Sequence, residues 1–77
     1  MEKVRIMGSS LDRQENGNHY LGFKIQPVEF IHGNNLNYLV GNVIKYVCRY
    51  GTKNGVIDLD KAIHYIEMIK ELEYGKK

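Results

Sequence analysis

Gly41-Asn42-Val43-Ile44-Lys45-Tyr46-Val47-Cys48-Arg49-Tyr50-Gly51-Thr52-Lys53 reads as a helix with two distinct faces. Leu36, Val40, Val43, Val47 and Tyr50 recur at spacings of four, three, four and three, the pattern of a stripe turned toward a core. Asn42, Lys45 and Arg49 recur at three and four and share a different face. Gly51 is placed to end the helix in the left-handed conformation, and Lys53 prolongs the cationic series beyond it. The apolar stripe is expected to hold the helix in place. The polar one lines up an amide, an ammonium and a guanidinium, a row suited to an anion such as phosphate.

Working outward, Asn34-Asn35 precedes this helix, which the pattern runs from about Leu36 to Tyr50 with Asn35 as N-cap. Before it, Pro27 marks the first position of a short helix that continues through Val28-Glu29-Phe30-Ile31-His32 and ends at Gly33. Proline is favoured there because the N–H it lacks would be unpaired anyway. After Gly51–Gly55, Asp58 is expected to cap a third helix. Leu59, Ala62, Ile63, Ile66, Ile69 and Leu72 keep its period, Asp60, Lys61, His64, Glu67, Lys70 and Glu71 supply the wetter faces, and Gly75 ends it. Residues 1–18 carry turn-forming Gly8-Ser9-Ser10 and Asn16-Gly17-Asn18 and read as a flexible arm. The expected fold is mainly α: residues 19–77 form one small helical domain, two main helices as a hairpin plus a short N-terminal helix.

At 77 residues the chain has room for a single domain with a modest core. One cysteine rules out an intrachain disulfide, so self-association, probed as a homo-oligomer, is the expected supplement to that core. No apolar run approaches the roughly 20 residues of a membrane span, and Met1–Met7 is too charged and short for a secretory signal. A cytoplasmic protein without a membrane partner is the expectation. The net charge of +2 is mild and the signs are mixed, which argues against wholesale nucleic-acid binding.

The Gly51–Gly55 loop is not a Walker A loop: Gly-x-x-x-x-Gly-Lys-Ser/Thr is nowhere in the sequence, and the loop follows a helix rather than a strand. Lys53 can reach a ligand from it. Glu29 and Asp58 are the candidate carboxylates for magnesium, which in phosphoryl transfer needs only one or two beside the substrate phosphates. Each also has a helix-terminal role. His19, an imidazole beside the Tyr20 phenol, is suited to stacking on a base or donating to a phosphate. His19, His32 and His64 form no metal motif. Cys48 shares a face with Ile44 and reads as packing.

His19-Tyr20, Ile25-Gln26-Pro27-Val28-Glu29-Phe30-Ile31, Gly41-Asn42-Val43-Ile44-Lys45-Tyr46 with Arg49 and Lys53, and Asp58-Leu59-x-Lys61-Ala62-x-x-Tyr65-Ile66 together resemble the SaV-like family of small tailed-phage proteins. That family includes a domain of an unusual phage nucleotide kinase. The resemblance covers about residues 19–69. It implies a phage origin and a role near nucleotide metabolism, with phosphate moved to a deoxynucleoside monophosphate without a Walker loop. Carried over, Asn42, Lys45, Arg49, Lys53 and Lys61 contact phosphates, and His19 and Tyr20 close over the nucleotide. Within the kinase reading Lys45 and Arg49 are the catalytic cations and Mg2+ bridges the donor phosphates. The kinase is a considerably longer chain, so binding is expected to survive where catalysis does not. Two alternatives stand beside it: a non-catalytic protein sequestering a nucleotide, and an interaction module docking on a host protein.

Overall fold

A computed structural model describes residues 22–75, which form three helices and, among the described residues, no strand. The N-terminal arm, His19 and Tyr20 lie outside the described residues. Helix α1 spans Pro27–Gly33, α2 spans Tyr38–Arg49 and α3 spans Val56–Tyr74. The mainly α architecture and the hairpin of two main helices are as the periodicity led one to expect. None of the three helices is long and apolar enough to cross a membrane.

Helix α1 begins where Pro27 places it, with the Gln26 backbone N–H donating to Glu29 Oε1 at 2.9 Å. Such a bond satisfies a backbone donor that the helix itself cannot pair. At the other end Asn34 Nδ2 donates to the Phe30 carbonyl, and Asn35 takes φ 55, the left-handed region that asparagine tolerates better than most residues. The Leu36 N–H is still bonded back to the Ile31 carbonyl. Asn35 is therefore spent on the turn and cannot cap α2. Asn37 caps it instead, its Oδ1 accepting from the Val40 N–H at 2.9 Å.

The loop after α2 also departs from expectation. Gly51 has no positive φ; the left-handed glycine is Gly55, at φ 56, which is itself the N-cap of α3. Asp58 is consequently not a cap but the third residue of α3, within its first turn. The far end follows the sequence closely, with Gly75 at φ 69 and its N–H bonded to the Glu71 carbonyl.

Helices α2 and α3 run antiparallel, as Arg49 meets Asp58 near one end and Tyr38 meets Tyr65 toward the other. The larger correction concerns which face of α2 turns inward. Asn42 is 9% exposed and the Arg49 side chain 13%, whereas Val47 and Tyr50 of the apolar stripe are each 45% exposed. The polar stripe faces α3 through Arg49, while Leu36, Val40 and Val43 of the apolar stripe are half-buried and its Val47 and Tyr50 are exposed. Helix α1 packs on another flank of α2, where Gly41 lets Ile31 approach closely. Among the described residues the buried apolar side chains are Pro27 and Ala62.

Candidate functional site

The site is built on the inward face of α2. Residues three and four apart on a helix are neighbours, so Asn42, Lys45, Tyr46 and Arg49 occupy one surface, across from Lys61 and Tyr65 of α3. Three cationic groups gather around the Tyr46 ring. Lys45 Nζ lies 4.6 Å from its centroid, Arg49 Cζ 4.7 Å and Lys61 Nζ 5.3 Å. The ring's negative quadrupole face attracts each of them and eases their mutual repulsion. On its other partner the Tyr46 ring stacks on Tyr65, with centroids 5.9 Å apart and planes 17° apart. Tyr38 meets the same Tyr65 edge-on at 6.1 Å. A hydrogen bond with Tyr38 raises the Tyr65 phenol above its ordinary pKa, with burial and the neighbouring phenols adding to it.

Arg49 is positioned by Asp58. Its Nε donates to Asp58 Oδ2 and its Nη2 to Oδ1, both at 3.2 Å, a two-point pairing that orients the guanidinium plane. The Asn54 backbone N–H donates to Oδ2 at 3.3 Å. Burial by itself would raise the Asp58 carboxyl; the Arg49 and Asn54 hydrogen bonds and the Arg49 charge outweigh it and hold the group below the usual carboxylate range. Around Tyr46, among the described residues, three cations thus stand beside the Asp58 carboxylate. Among the described residues no carboxylate pairs with Lys45 or Lys61.

A cleft of about 290 Å3 opens beside this cluster, between α1 and the first half of α2. Val28, Ile31, Leu36 and Tyr38 give it apolar walls, Gln26 and Asn42 contribute amides, and Lys45 adds a cation to the lining. Gln26 is 3% exposed. Asn42 Nδ2 donates to the Tyr38 carbonyl one turn back, which holds the amide in place with its oxygen the other way. The volume sits at the small end of the ~300–1,000 Å3 typical of ligand pockets.

Of the residues expected from sequence, the structure brings Asn42, Lys45, Arg49 and Lys61 together. Lys53 lies on the exposed loop, its N–H bonded to the Arg49 carbonyl. The carboxylates proposed for magnesium are apart in function: Glu29 satisfies the start of α1 while Asp58 orients Arg49. Among the described residues no group of three His, Cys, Asp or Glu side chains is placed to hold a metal ion. Cys48 is half-buried, and burial raises its thiol pKa, in keeping with packing. Tyr46, Tyr65 and Gln26 are the contributors that sequence reading missed. Tyr38, Asn42 and Tyr46 do recur at steps of four, a signal that was present but pointed equally well to core packing.

A model of the family described as "Protein of unknown function (DUF3310)" matches residues 14–67, the greater part of the chain and all of the cation cluster. No curated protein and no solved structure matches.

Proposed function

The chain belongs to the DUF3310 family, and we propose that it binds a phosphorylated small molecule, a mononucleotide, at the α2–α3 cation cluster and the cleft beside it. The observation that carries the proposal is the convergence of Lys45, Arg49 and Lys61 on one aromatic ring, with Lys45 also lining the apolar cleft between α1 and α2. Three cations on one surface act together on an anion, Arg49 the most sheltered of them, Lys45 half-buried and Lys61 exposed. In this reading the phosphate lies against Lys45 and Lys61, beside the Arg49 guanidinium. The base enters the cleft, where Tyr38 offers a face and the Asn42 side-chain oxygen an acceptor. The resemblance to SaV-like phage proteins supports the same ligand class and suggests the phage setting.

Binding is the primary reading because Asp58, the better placed of the two candidate metal carboxylates, already uses both oxygens on Arg49 and Asn54. Magnesium would arrive on the substrate's own phosphates. Transfer of phosphate to a deoxynucleoside monophosphate is the extension of this reading that a 31P NMR time course with ATP and a monophosphate decides.

Thermal unfolding of the full chain with inorganic phosphate, mono- and triphosphates, each with and without magnesium, tests binding. A ligand at a hundred times its Kd adds about 2.7 kcal/mol, on the order of 10 °C in a domain of this size. Lys45→Ala and Lys61→Ala each remove a charge-assisted contact and should weaken nucleotide affinity about tenfold or more in calorimetry. Neither touches the Arg49–Asp58 pair, so their circular dichroism should match wild type. Wild-type affinity in both variants, or no stabilisation by any phosphate compound at millimolar concentration, sinks the proposal.

A further inference from the structure

Tyr65 of α3 stands between the two parts of the candidate site. Its ring stacks on Tyr46, the aromatic platform of Lys45, Arg49 and Lys61, with centroids 5.9 Å apart. It also meets Tyr38, a wall of the cleft, at 6.1 Å and an interplanar angle of 77°. Tyr38 and Tyr46 are two residues of one helix separated by about 12 Å of its axis, and a single ring from α3 links them. Tyr38 is 73% exposed. A ring so open to solvent has few neighbours to select its rotamer, and ordering it only when a ligand arrives costs conformational entropy. Tyr65 is better anchored. It is half-buried, and it follows the buried Ala62 by one helical step of three residues, on the same side of α3.

We propose that Tyr65 is a positioning residue that fixes Tyr38 and Tyr46 relative to each other and so couples the base end of the mononucleotide site to its phosphate end. The inference rests on the mononucleotide reading and names the residue that joins its two halves. Tyr65 does not line the cleft, so its effect on a ligand passes through the rings it holds. Its two attachments differ in kind. The Tyr46 contact is face to face and is retained by any six-membered aromatic ring placed there. The Tyr38 contact adds a hydrogen bond between the phenols, the same bond that raises the Tyr65 phenol above its ordinary pKa. Phenylalanine at this position keeps the platform and releases the cleft wall, whereas leucine gives up both. The base end and the phosphate end can therefore be uncoupled by substitutions at one residue.

NMR titration of the full chain with inorganic phosphate, ribose 5-phosphate and the common nucleoside monophosphates tests it in wild type, Tyr65→Phe and Tyr65→Leu. Tyr65→Phe should weaken the nucleoside monophosphates about three- to tenfold, the loss of one hydrogen bond. Its affinity for inorganic phosphate and ribose 5-phosphate should stay within about twofold of wild type. Tyr65→Leu should weaken all three probes; if that variant does not fold, Tyr65→Phe decides alone. A merely structural role would lower every affinity in proportion. Nuclear Overhauser contacts between the Tyr38 and Tyr65 rings in the free wild-type chain check the geometry without a ligand. Their absence overturns the proposal, as does a Tyr65→Phe chain that matches wild type toward every probe or loses all of them equally. A folded Tyr65→Leu chain with wild-type phosphate affinity overturns the Tyr46 half. If wild type binds none of the probes, the mononucleotide reading fails and takes this inference with it; wild-type binding that neither variant alters overturns this inference alone.

Discussion

Gly41 is the point at which α1 and α2 touch, and substituting it measures how the cleft is held. A Cβ built there would stand 3.1 Å from Ile31 Cγ2 and 3.5 Å from its Cδ1. The first distance is several tenths of an ångström inside the ~3.5–4.0 Å optimum for carbon pairs. Against that contact, alanine is preferred to glycine inside a helix by about 0.8–1.0 kcal/mol. Ile31 is only half-buried and can turn toward the cleft, at ~0.5–1.5 kcal/mol for an off-rotamer side chain. The two terms nearly cancel, so Gly41→Ala should unfold within about 1 kcal/mol of wild type. Gly41→Val has no such escape: its χ1 is restricted in a helix and a γ-methyl must enter the space Ile31 fills. Overpacking of this kind amounts to about 1–3 kcal/mol, or roughly 4–20 °C here, and it should push α1 outward. Urea unfolding followed at 222 nm gives the stabilities. Ile31→Leu supplies the control, since it removes the γ2 methyl that makes the shortest contact. In that background Gly41→Ala should become stabilising, with a coupling of about 0.5–1 kcal/mol. Additive single and double variants, or a Gly41→Val chain as stable as wild type, would refute the close α1–α2 contact.

Three further outcomes follow from the polar geometry. Arg49→Ala strands a buried carboxylate, so it should remove cooperative unfolding as well as ligand binding, and Arg49→Lys should recover only part of either because a single ammonium cannot make the two-point pairing; differential scanning calorimetry distinguishes these. The folded Asp58 carboxyl lies below its unfolded value, so its contribution is fully present above the unfolded pKa and is lost as pH falls through the folded one. Acid titration of stability should therefore show a limb below about pH 4 that Asp58→Asn flattens. Asn37→Ala removes the acceptor for the Val40 N–H and should lower stability by ~0.5–2 kcal/mol in urea unfolding. Asn35→Ala tests the alternative cap and should act instead through loss of the left-handed turn.

Helix number, order and approximate extent were legible in the sequence because their signals act within one turn: the period of the apolar residues, Pro27 at a start, Gly75 at a stop. The candidate site was legible in part for the same reason, since Asn42, Lys45 and Arg49 share a face of any α2 that forms. Termini between helices were less so. Asn35, Asn37, Gly51 and Gly55 are all chemically able to serve, and which does so depends on backbone bonds such as Leu36 N–H to the Ile31 carbonyl. The rotation of α2 was decided only by tertiary structure. Its apolar stripe and its polar stripe each suited burial, and contacts distant in sequence chose between them: Arg49 pairing with Asp58, and Tyr46 stacking on Tyr65. A periodic pattern reports that a helix has faces. Which face meets the neighbouring helix is set by the partners waiting there, and here a buried carboxylate drew Arg49 inward and left Val47 and Tyr50 exposed.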